Sequence, residues 1–244
     1  MDSILITGAN RGLGLEWVRQ LNDAGWRVLT TARNPDKADE LNQLAENSDG
    51  RITVHRLDVT DHAAIEAFAD EHKDEAIDVL NNNAGVLPER SSWGQTDYDG
   101  WLQTVQTNLF STCKMCEAFT PHVARSNRKI ILTMSSTLSS VSTPGGGPLV
   151  WGDEKHVYRT TKAGINVLAK SMAGYLKDRG IIVVSVNPGW ANTEMGRADL
   201  DPGDTEDILL NPVESVREMR ALIDRLTLEN SGNLYRWDGQ ELPA

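Results

Sequence analysis

Near its start the chain runs Ile4-Leu5-Ile6-Thr7-Gly8-Ala9-Asn10-Arg11-Gly12-Leu13-Gly14. A short apolar strand passes through a glycine-rich turn into a helix, whose Leu13, Trp17, Leu21 and Ala24, joined by Val18, recur every three to four residues. Glycine has no Cβ, so its backbone adopts conformations and close approaches that other residues resist. At a helix N-terminus such a turn aims backbone N–H groups and the positive end of the helix dipole at an anion. A strand, a glycine turn and a helix in this order open a parallel α/β sheet. Turns also use glycine for purely local reasons, so the cluster gains meaning only from the rest of the chain.

The rest of the chain repeats the alternation. Apolar strands are expected at 27–31, 52–57, 78–80, 129–134 and 181–186, with a short one at 233–237. Gly25 is a natural helix stop, and Asn34-Pro35 reads as a helix start. Thr60 or Asp61 is placed to cap the helix carrying Ala64, Ile65 and Phe68. Further helices are expected from Trp101 through Phe119, over 157–177, and over 213–228. Ile181 to Val186 is apolar almost throughout, as a strand covered on both faces should be. The pattern predicts an α/β, doubly wound parallel sheet of the Rossmann type, with about seven strands, helices on both faces and a single domain over 1–244. The one loose stretch is 139–148, rich in Ser, Gly and Pro.

Composition excludes several alternatives. The formal charge is −11, from 24 Lys and Arg against 35 Asp and Glu. Nucleic-acid phosphates and anionic membrane surfaces both call for clustered positive charge, so neither is an expected partner. No apolar run approaches the roughly 18 residues of a spanning helix. The N-terminus leads from Asp2 and Ser3 straight into the first strand, without a basic-then-apolar signal. The only cysteines, Cys113 and Cys116, sit in a helical pattern with no second ligand pair, so a zinc site is not expected. These features together point to the cytoplasm and to no metal.

Tyr158 and Lys162 are four residues apart on a predicted helix, so their side chains share a face. A neighbouring ammonium favours phenolate, which would lower the phenol's pKa and fit it for proton exchange. In this chain Tyr158-Arg159-Thr160-Thr161-Lys162 follows a series of other short motifs. Thr7-Gly8 to Gly14 opens it, Asp58-Val59 follows strand three, and Asn82-Asn83-Ala84-Gly85 ends strand four. Pro188-Gly189 follows strand six, with Thr193 four residues on. In this order and at these strand and helix edges, the set resembles the short-chain dehydrogenase/reductase superfamily over about residues 3 to 239. The phrases Asn187-Pro188-Gly189-Trp190 and Trp237-Asp238-Gly239 resemble its carbonyl-reductase-like, C-factor-type branch.

The resemblance implies an oxidoreductase that passes a hydride between NADP(H) and a small-molecule carbonyl or alcohol. It implies a catalytic set of Asn108, Ser136, Tyr158 and Lys162, with Ser135 the alternative to Ser136. Asn108 would hold a water linking Lys162 to solvent. It implies cofactor contacts at Gly8, Asn10, Arg11, Gly12, Leu13, Gly14, Arg33, Asp58, Val59, Asn83, Ala84, Gly85, Pro188, Gly189 and Thr193, with Tyr158 and Lys162 also touching the cofactor. Strand two ends Thr31-Ala32-Arg33, and no carboxylate appears before Asp36. An acid there would suit the ribose of NAD, whereas Arg33 and Arg11 suit the 2′-phosphate of NADP. The expected substrate cleft lies among the loops after strands four, five and six and the 190–212 segment. Trp93, Trp151 and Trp190 are its candidate walls. The spacing from Ser136 to Tyr158 is longer than in many family members, so the 139–157 loop is a candidate lid. The family also implies a homodimer or homotetramer, with the helix from Trp101 to Phe119 as the first surface to consider. His156 reads as a helix start, and no GxSxG elbow supports hydrolase chemistry. The alternative is a non-catalytic nucleotide-sensing or signalling protein on the same fold.

Overall fold

A computed structural model describes residues 1–141, 154–200 and 203–243. One eight-stranded sheet organises them, in the order β3-β2-β1-β4-β5-β6-β7-β8. The strands are β1 (Ser3–Ile6), β2 (Arg27–Ala32), β3 (Ile52–Arg56), β4 (Val79–Asn82), β5 (Ile130–Met134), β6 (Ile182–Asn187), β7 (Leu234–Arg236) and β8 (Glu241–Leu242). The first seven are parallel and β8 returns antiparallel to β7. The helices are α1 (Gly12–Asp23), α2 (Asp39–Glu46), α3 (His62–Glu71), α4 (Tyr98–Val105), α5 (Ser111–Arg125), α6 (His156–Leu176), α7 (Glu194–Ala198) and α8 (Pro212–Arg225).

Strand register explains why the core splits in two. Leu29, Leu5, Leu80, Ile131 and Val183 are cross-strand partners in one row. With Phe68, Met115 and Phe119 they form the core beneath α3 and α5. Their neighbours one residue away, Ile4, Val28, Val79, Ile130 and Ile182, point to the opposite face, because side chains alternate along a strand. There they pack with Trp17, Leu21, Val216 and Met219 of α1 and α8. A one-residue slip would exchange every one of these contacts. At the opposite end of the strands from the site, the Asp78 carboxylate ties β1, β4 and β5 together. It accepts from Ser3 N–H and Ser3 Oγ, both at 2.9 Å, and from Asn127 N–H at 3.2 Å.

Several boundaries depart from the sequence reading. The sheet has eight strands rather than about seven, because β8 is a two-residue strand too short to show alternation. It is formed by the turn through Gly239 (φ +83°), where Arg236 grips Asp238. Asn34-Pro35 starts a single 3₁₀ turn, Pro35–Lys37, and α2 proper begins later. The helix expected from Trp101 begins at Tyr98, capped by the Asp97 carboxylate. It is then interrupted by a π-helical turn, Gln106–Phe110, before α5 resumes. Asp61, rather than Thr60, caps α3 by accepting from Ala64 N–H. Gly25, at φ +77°, lies just beyond the end of α1. Trp151 and most of the candidate lid fall outside the described residues.

Behind β3 and α3, His55, Phe68 and His72 pack ring against ring at 4.7–5.0 Å, and His122 continues the stack through Phe119. His122 Nε2 donates to Ala69 O at 3.1 Å, which leaves the buried Nδ1 as the site for a second proton, with no described partner. Burial holds the His55 and His122 pKa values below the ordinary imidazole range; the charge of His72 adds to both effects, while hydrogen bonding to the Ala69 and His72 backbone opposes the shift at His122. Glu71 and Glu75 oppose the shift at His55, and Arg125 reinforces that at His122. The unfolded chain therefore binds protons first as pH falls below about 6.5. The stability these two groups contribute is complete above that pH and lost as pH drops through their lower folded values. Urea midpoints should fall between pH 7.5 and 5.5, and His122→Gln should flatten that slope. An unchanged slope in the variant would refute the assignment.

Candidate active site

The strand order reverses direction between β1 and β4, where a crevice opens at the carboxyl ends of the strands. The glycine turn sits there because no other residue fits. Gly8 and Gly12 have positive φ, at +65° and +56°. A Cβ on Gly14 would lie 2.5 Å from Gly8 O and 2.6 Å from Asn83 Nδ2. A Cβ on Gly8 would press on Ala84 Cα at 3.0 Å. The end of β4 thus braces the turn. Asn83 Nδ2 donates to Thr7 O at 2.9 Å and Gly8 O at 3.1 Å, and Ala84 N–H donates to Thr7 Oγ1 at 3.0 Å. The N-terminus of α1 carries no capping side chain and no acid in its first turn. Its N–H groups and dipole suit a diphosphate, so this cradle fits a dinucleotide.

Around the cradle, Asn10 and Leu13 are partly buried and Arg11 is exposed. Arg11 reaches across the mouth to pair with Glu194 of α7. Thr193 closes the same side, its Cγ2 being 3.5 Å from where a Gly12 Cβ would sit. Its hydroxyl accepts from Gly196 N–H at 3.1 Å and caps α7. Pro188 O accepts from Ser215 Oγ at 2.6 Å. Gly189 (φ +77°) lets Leu210 and Trp237 approach where a Cβ would clash. Arg33 is exposed at the end of β2. Beside it stands Asp58, while Val59 packs into the core. Burial pushes the Asp58 carboxyl up, but Thr60 N–H, Thr60 Oγ and Arg33 outweigh it, and the carboxyl titrates below its ordinary value.

The second half of the site adjoins the first through Gly85. A Cβ there would lie 3.4 Å from Asn108 Oδ1 and 3.9 Å from Lys162 Nζ. Lys162 is buried and donates to Met134 O at 2.8 Å, at the end of β5. Its ammonium lies 5.4 Å from the centre of the Tyr158 ring. The sequence reading expects this ammonium to lower the phenol's pKa. In the structure the shift runs the other way. Burial, with the Asp199 carboxylate adding to it, raises the Tyr158 phenol well above its ordinary value. Burial likewise pushes the Lys162 amine down to about 8. The phenol is therefore protonated at neutral pH, as a proton donor must be.

Asn108 sits in the π-helical turn and is almost wholly buried. Its side chain is engaged on both sides. Oδ1 accepts from Val86 N–H at 2.8 Å, and Nδ2 donates to Val86 O at 3.0 Å and to Thr161 Oγ1 at 3.3 Å. The side chain thus clamps the segment after β4 to α6. The two serines also differ. Ser135 is buried and donates to Asn166 Oδ1 at 2.7 Å. Ser136 is partly exposed, and its Oγ accepts only Leu138 N–H among the described residues. Its O–H remains available to a ligand oxygen, which favours Ser136 over Ser135.

Trp93 is 91% exposed and lines a cavity of about 360 Å³ with Leu138, Val141, His156, Arg159 and Ala163. Trp190 lies elsewhere, its Nε1 donating to Gly196 O at 2.9 Å. His156 begins α6, with Nε2 3.0 Å from Thr96 Oγ1. Cys116 is buried against Asn82 Nδ2 at 3.4 Å and Cys113 is partly exposed, both as free thiols. Burial raises both thiol pKa values, so neither is an activated nucleophile. Among the described residues no group of metal-ligating side chains gathers, and no helix is long and apolar enough to cross a membrane. Sequence reasoning missed Met134 O, Val86, Asn166 and Asp199. Met134 and Val86 act through their backbones and so leave no side-chain signal. Asn166 and Asp199 carry no motif.

Residues 2–202 match the family model for short chain dehydrogenases, and the chain belongs to that family of oxidoreductases. It is 30% identical over 251 residues to an uncharacterized oxidoreductase of Schizosaccharomyces pombe, covering 98% of this chain and 96% of the relative. The C-signal protein of Myxococcus xanthus is 30% identical over 179 residues, covering 72% of this chain and 98% of that protein. Among solved structures, an NADPH-bound carbonyl reductase from chicken fatty liver superposes with a TM-score of 0.88 at 28% identity, covering 100% of this chain and 99% of that one. The carbonyl reductase Sniffer of D. melanogaster gives 0.88 at 30% identity, with both chains fully covered.

Gly14→Ala should abolish dinucleotide binding and lower stability by about 1–3 kcal/mol, because the backbone it meets has nowhere to move. Gly25→Ala is the control. Its φ is positive, unlike that of Gly14, but open space surrounds it, so it should lose only about 1–2 kcal/mol and keep binding. Thermal unfolding and nucleotide fluorescence titration read the two effects. Binding retained in Gly14→Ala would contradict the cradle assignment.

Proposed function

We propose that this protein is an NADP(H)-dependent carbonyl reductase, acting between a small carbonyl compound and its alcohol. The observation that carries the reading is the continuous path from cradle to proton donor. Gly8 abuts Ala84, Gly85 follows it, and Lys162 and Asn108 stand against Gly85 beside Tyr158. Bound there, the nicotinamide would exchange a hydride with the carbonyl carbon. Tyr158 would give its proton to the carbonyl oxygen, or take it back in the reverse direction. Lys162 would hold the ribose and favour the phenolate as it forms. Ser136 would donate to the same oxygen, and Asn108 would position the wall after β4.

Gly8, Asn10, Arg11, Gly12, Leu13 and Gly14 would hold the diphosphate. Asp58 and Val59 would hold the adenine, with Asn83, Ala84 and Gly85 along the ribose. Pro188, Gly189 and Thr193 would flank the nicotinamide. Arg33 supports NADP(H) over NAD(H), since it stands exposed where NAD-binding chains of this fold place an acid. The carbonyl reductases above, one of them NADPH-bound, support the same assignment. The substrate would enter among the loops after β4, β5 and β6 and the 190–212 segment. Exposed Tyr98, Leu102 and Phe110 support a homo-oligomeric contact along α4 and the π-helical turn. The acidic charge and unpaired thiols support a cytoplasmic setting.

Tyr158→Phe should bind NADPH as the parent does and lose about 10²–10⁴-fold in kcat on a panel of aldehydes, ketones and quinones. Full turnover in that variant would remove Tyr158 from the chemistry. Binding without turnover in the parent protein, across the whole panel, would favour a nucleotide sensor. Arg33→Ala should raise the Kd for NADPH by about tenfold or more, the scale of one lost charge-assisted hydrogen bond, and leave NADH unchanged. Equal losses for both nucleotides would overturn the NADP(H) assignment.

A further inference from the structure

The turn that presents Arg33 contains a carboxylate of its own. Asp36 lies three residues on, in the Pro35–Lys37 turn, and its side chain is 84% exposed. Left loose, a carboxylate this close to a phosphate subsite works against it twice. It repels a dianion, and it competes for the Arg33 guanidinium. The structure occupies it instead. Arg56, the last residue of β3, is the register partner of Ala32, the last residue of β2. Its guanidinium therefore springs from the strand beside the turn. Arg56 Nη2 stands 2.5 Å from Asp36 Oδ2, and Nη1 donates to the Arg33 carbonyl at 3.4 Å. One side chain thus grips both ends of the 33–36 segment. Asn42 Nδ2 holds the same turn from the far side, donating to Pro35 O at 3.0 Å.

We infer that Arg56 is a specificity-determining residue for the adenosine end of the cofactor, acting by neutralising Asp36 and fixing the turn so that Arg33 faces a 2′-phosphate. The inference rests on the NADP(H) reading above. It adds a residue that no dinucleotide motif contains. Arg56 is a positioning residue, and its effect should appear in ligand discrimination rather than in stability. An exposed ion pair contributes little to folding. The same charges within about 8 Å of a dianion alter its affinity severalfold, and salt screens the effect.

The test uses ligands that carry only the adenosine end, adenosine 2′,5′-bisphosphate and ADP, titrated by calorimetry into the whole protein. The parent should prefer the bisphosphate, and parity between the two would overturn the NADP(H) reading together with this inference. Given that preference, Arg56→Gln should weaken the bisphosphate by about fivefold at low salt and leave ADP within about twofold. Asp36→Asn added to Arg56→Gln should restore the bisphosphate affinity, because the carboxylate that Arg56 neutralises is then gone. No loss in Arg56→Gln, or equal loss for both ligands, would overturn the role of Arg56 while leaving the cofactor reading intact. A loss that persists in the double variant would overturn the mechanism through Asp36. Unchanged thermal midpoints in both variants would confirm that the comparison is made on folded protein.

Discussion

The close packing of the β1 turn against the end of β4 is the constraint on which the rest of this structure depends. Gly14 admits no side chain because the Gly8 carbonyl and the Asn83 amide already occupy the space. Gly8 admits none because Ala84 does. Asn83 and Ala84 then hydrogen-bond Thr7 and Gly8 directly, so the cradle is locked to the strand that leads to Gly85. Remove this contact and the N-terminus of α1 loses its position relative to Lys162 and Asn108. The proposed anion site and the proposed proton-transfer site are thus two ends of one rigid object, joined at the switch point of the sheet.

Around that object, burial and charge are in tension. In the proposed reaction Lys162 and Tyr158 exchange protons or hold charge, yet the fold places them where charge is disfavoured. The outcome is a phenol held protonated and an amine whose pKa falls to about 8. Lys162 remains engaged through Met134 O, and this backbone acceptor at the end of β5 fixes where the amine points. Asn108 does comparable work without titrating. Its amide binds both backbone groups of Val86, which ties the segment after β4 to the π-helical turn. The π-helical turn is what brings Asn108 to that point, since a wider helical turn shifts the side chains that follow it.

Much of this was legible in the residues. Alternating apolar runs specified the parallel sheet because each central strand is buried on both faces, as Leu5 and Ile4 show by facing opposite cores. The glycine turn was legible because steric exclusion is a property of residue type. Tyr158 and Lys162 were legible because helical spacing places them together. The illegible parts share a cause. The π-helical turn, the Val86 clamp and the Met134 carbonyl are backbone features, and backbone groups are the same at every position. The direction of the Tyr158 shift was also hidden. Spacing reveals that an ammonium is near but says nothing of how much water both groups have lost. Nor does the sequence show that Asn166 engages Ser135, although that bond is what separates the two adjacent serines.

Charge at the adenosine end follows the same logic by a different route. In the sequence, Asp36 reads only as the first acid after strand two, too far along to meet a ribose. Strand register, which pairs Ala32 with Arg56, turns that distant acid into one half of a neutral pair beside Arg33. An ion pair this exposed adds little to folding, so stability does not account for the arrangement. Its consequence is electrostatic and local. The turn after β2 offers a ligand the guanidinium of Arg33 without the opposing field of its own carboxylate. On the proposed reading, cofactor choice in this chain is set as much by which charges are kept apart as by which are brought to the phosphate.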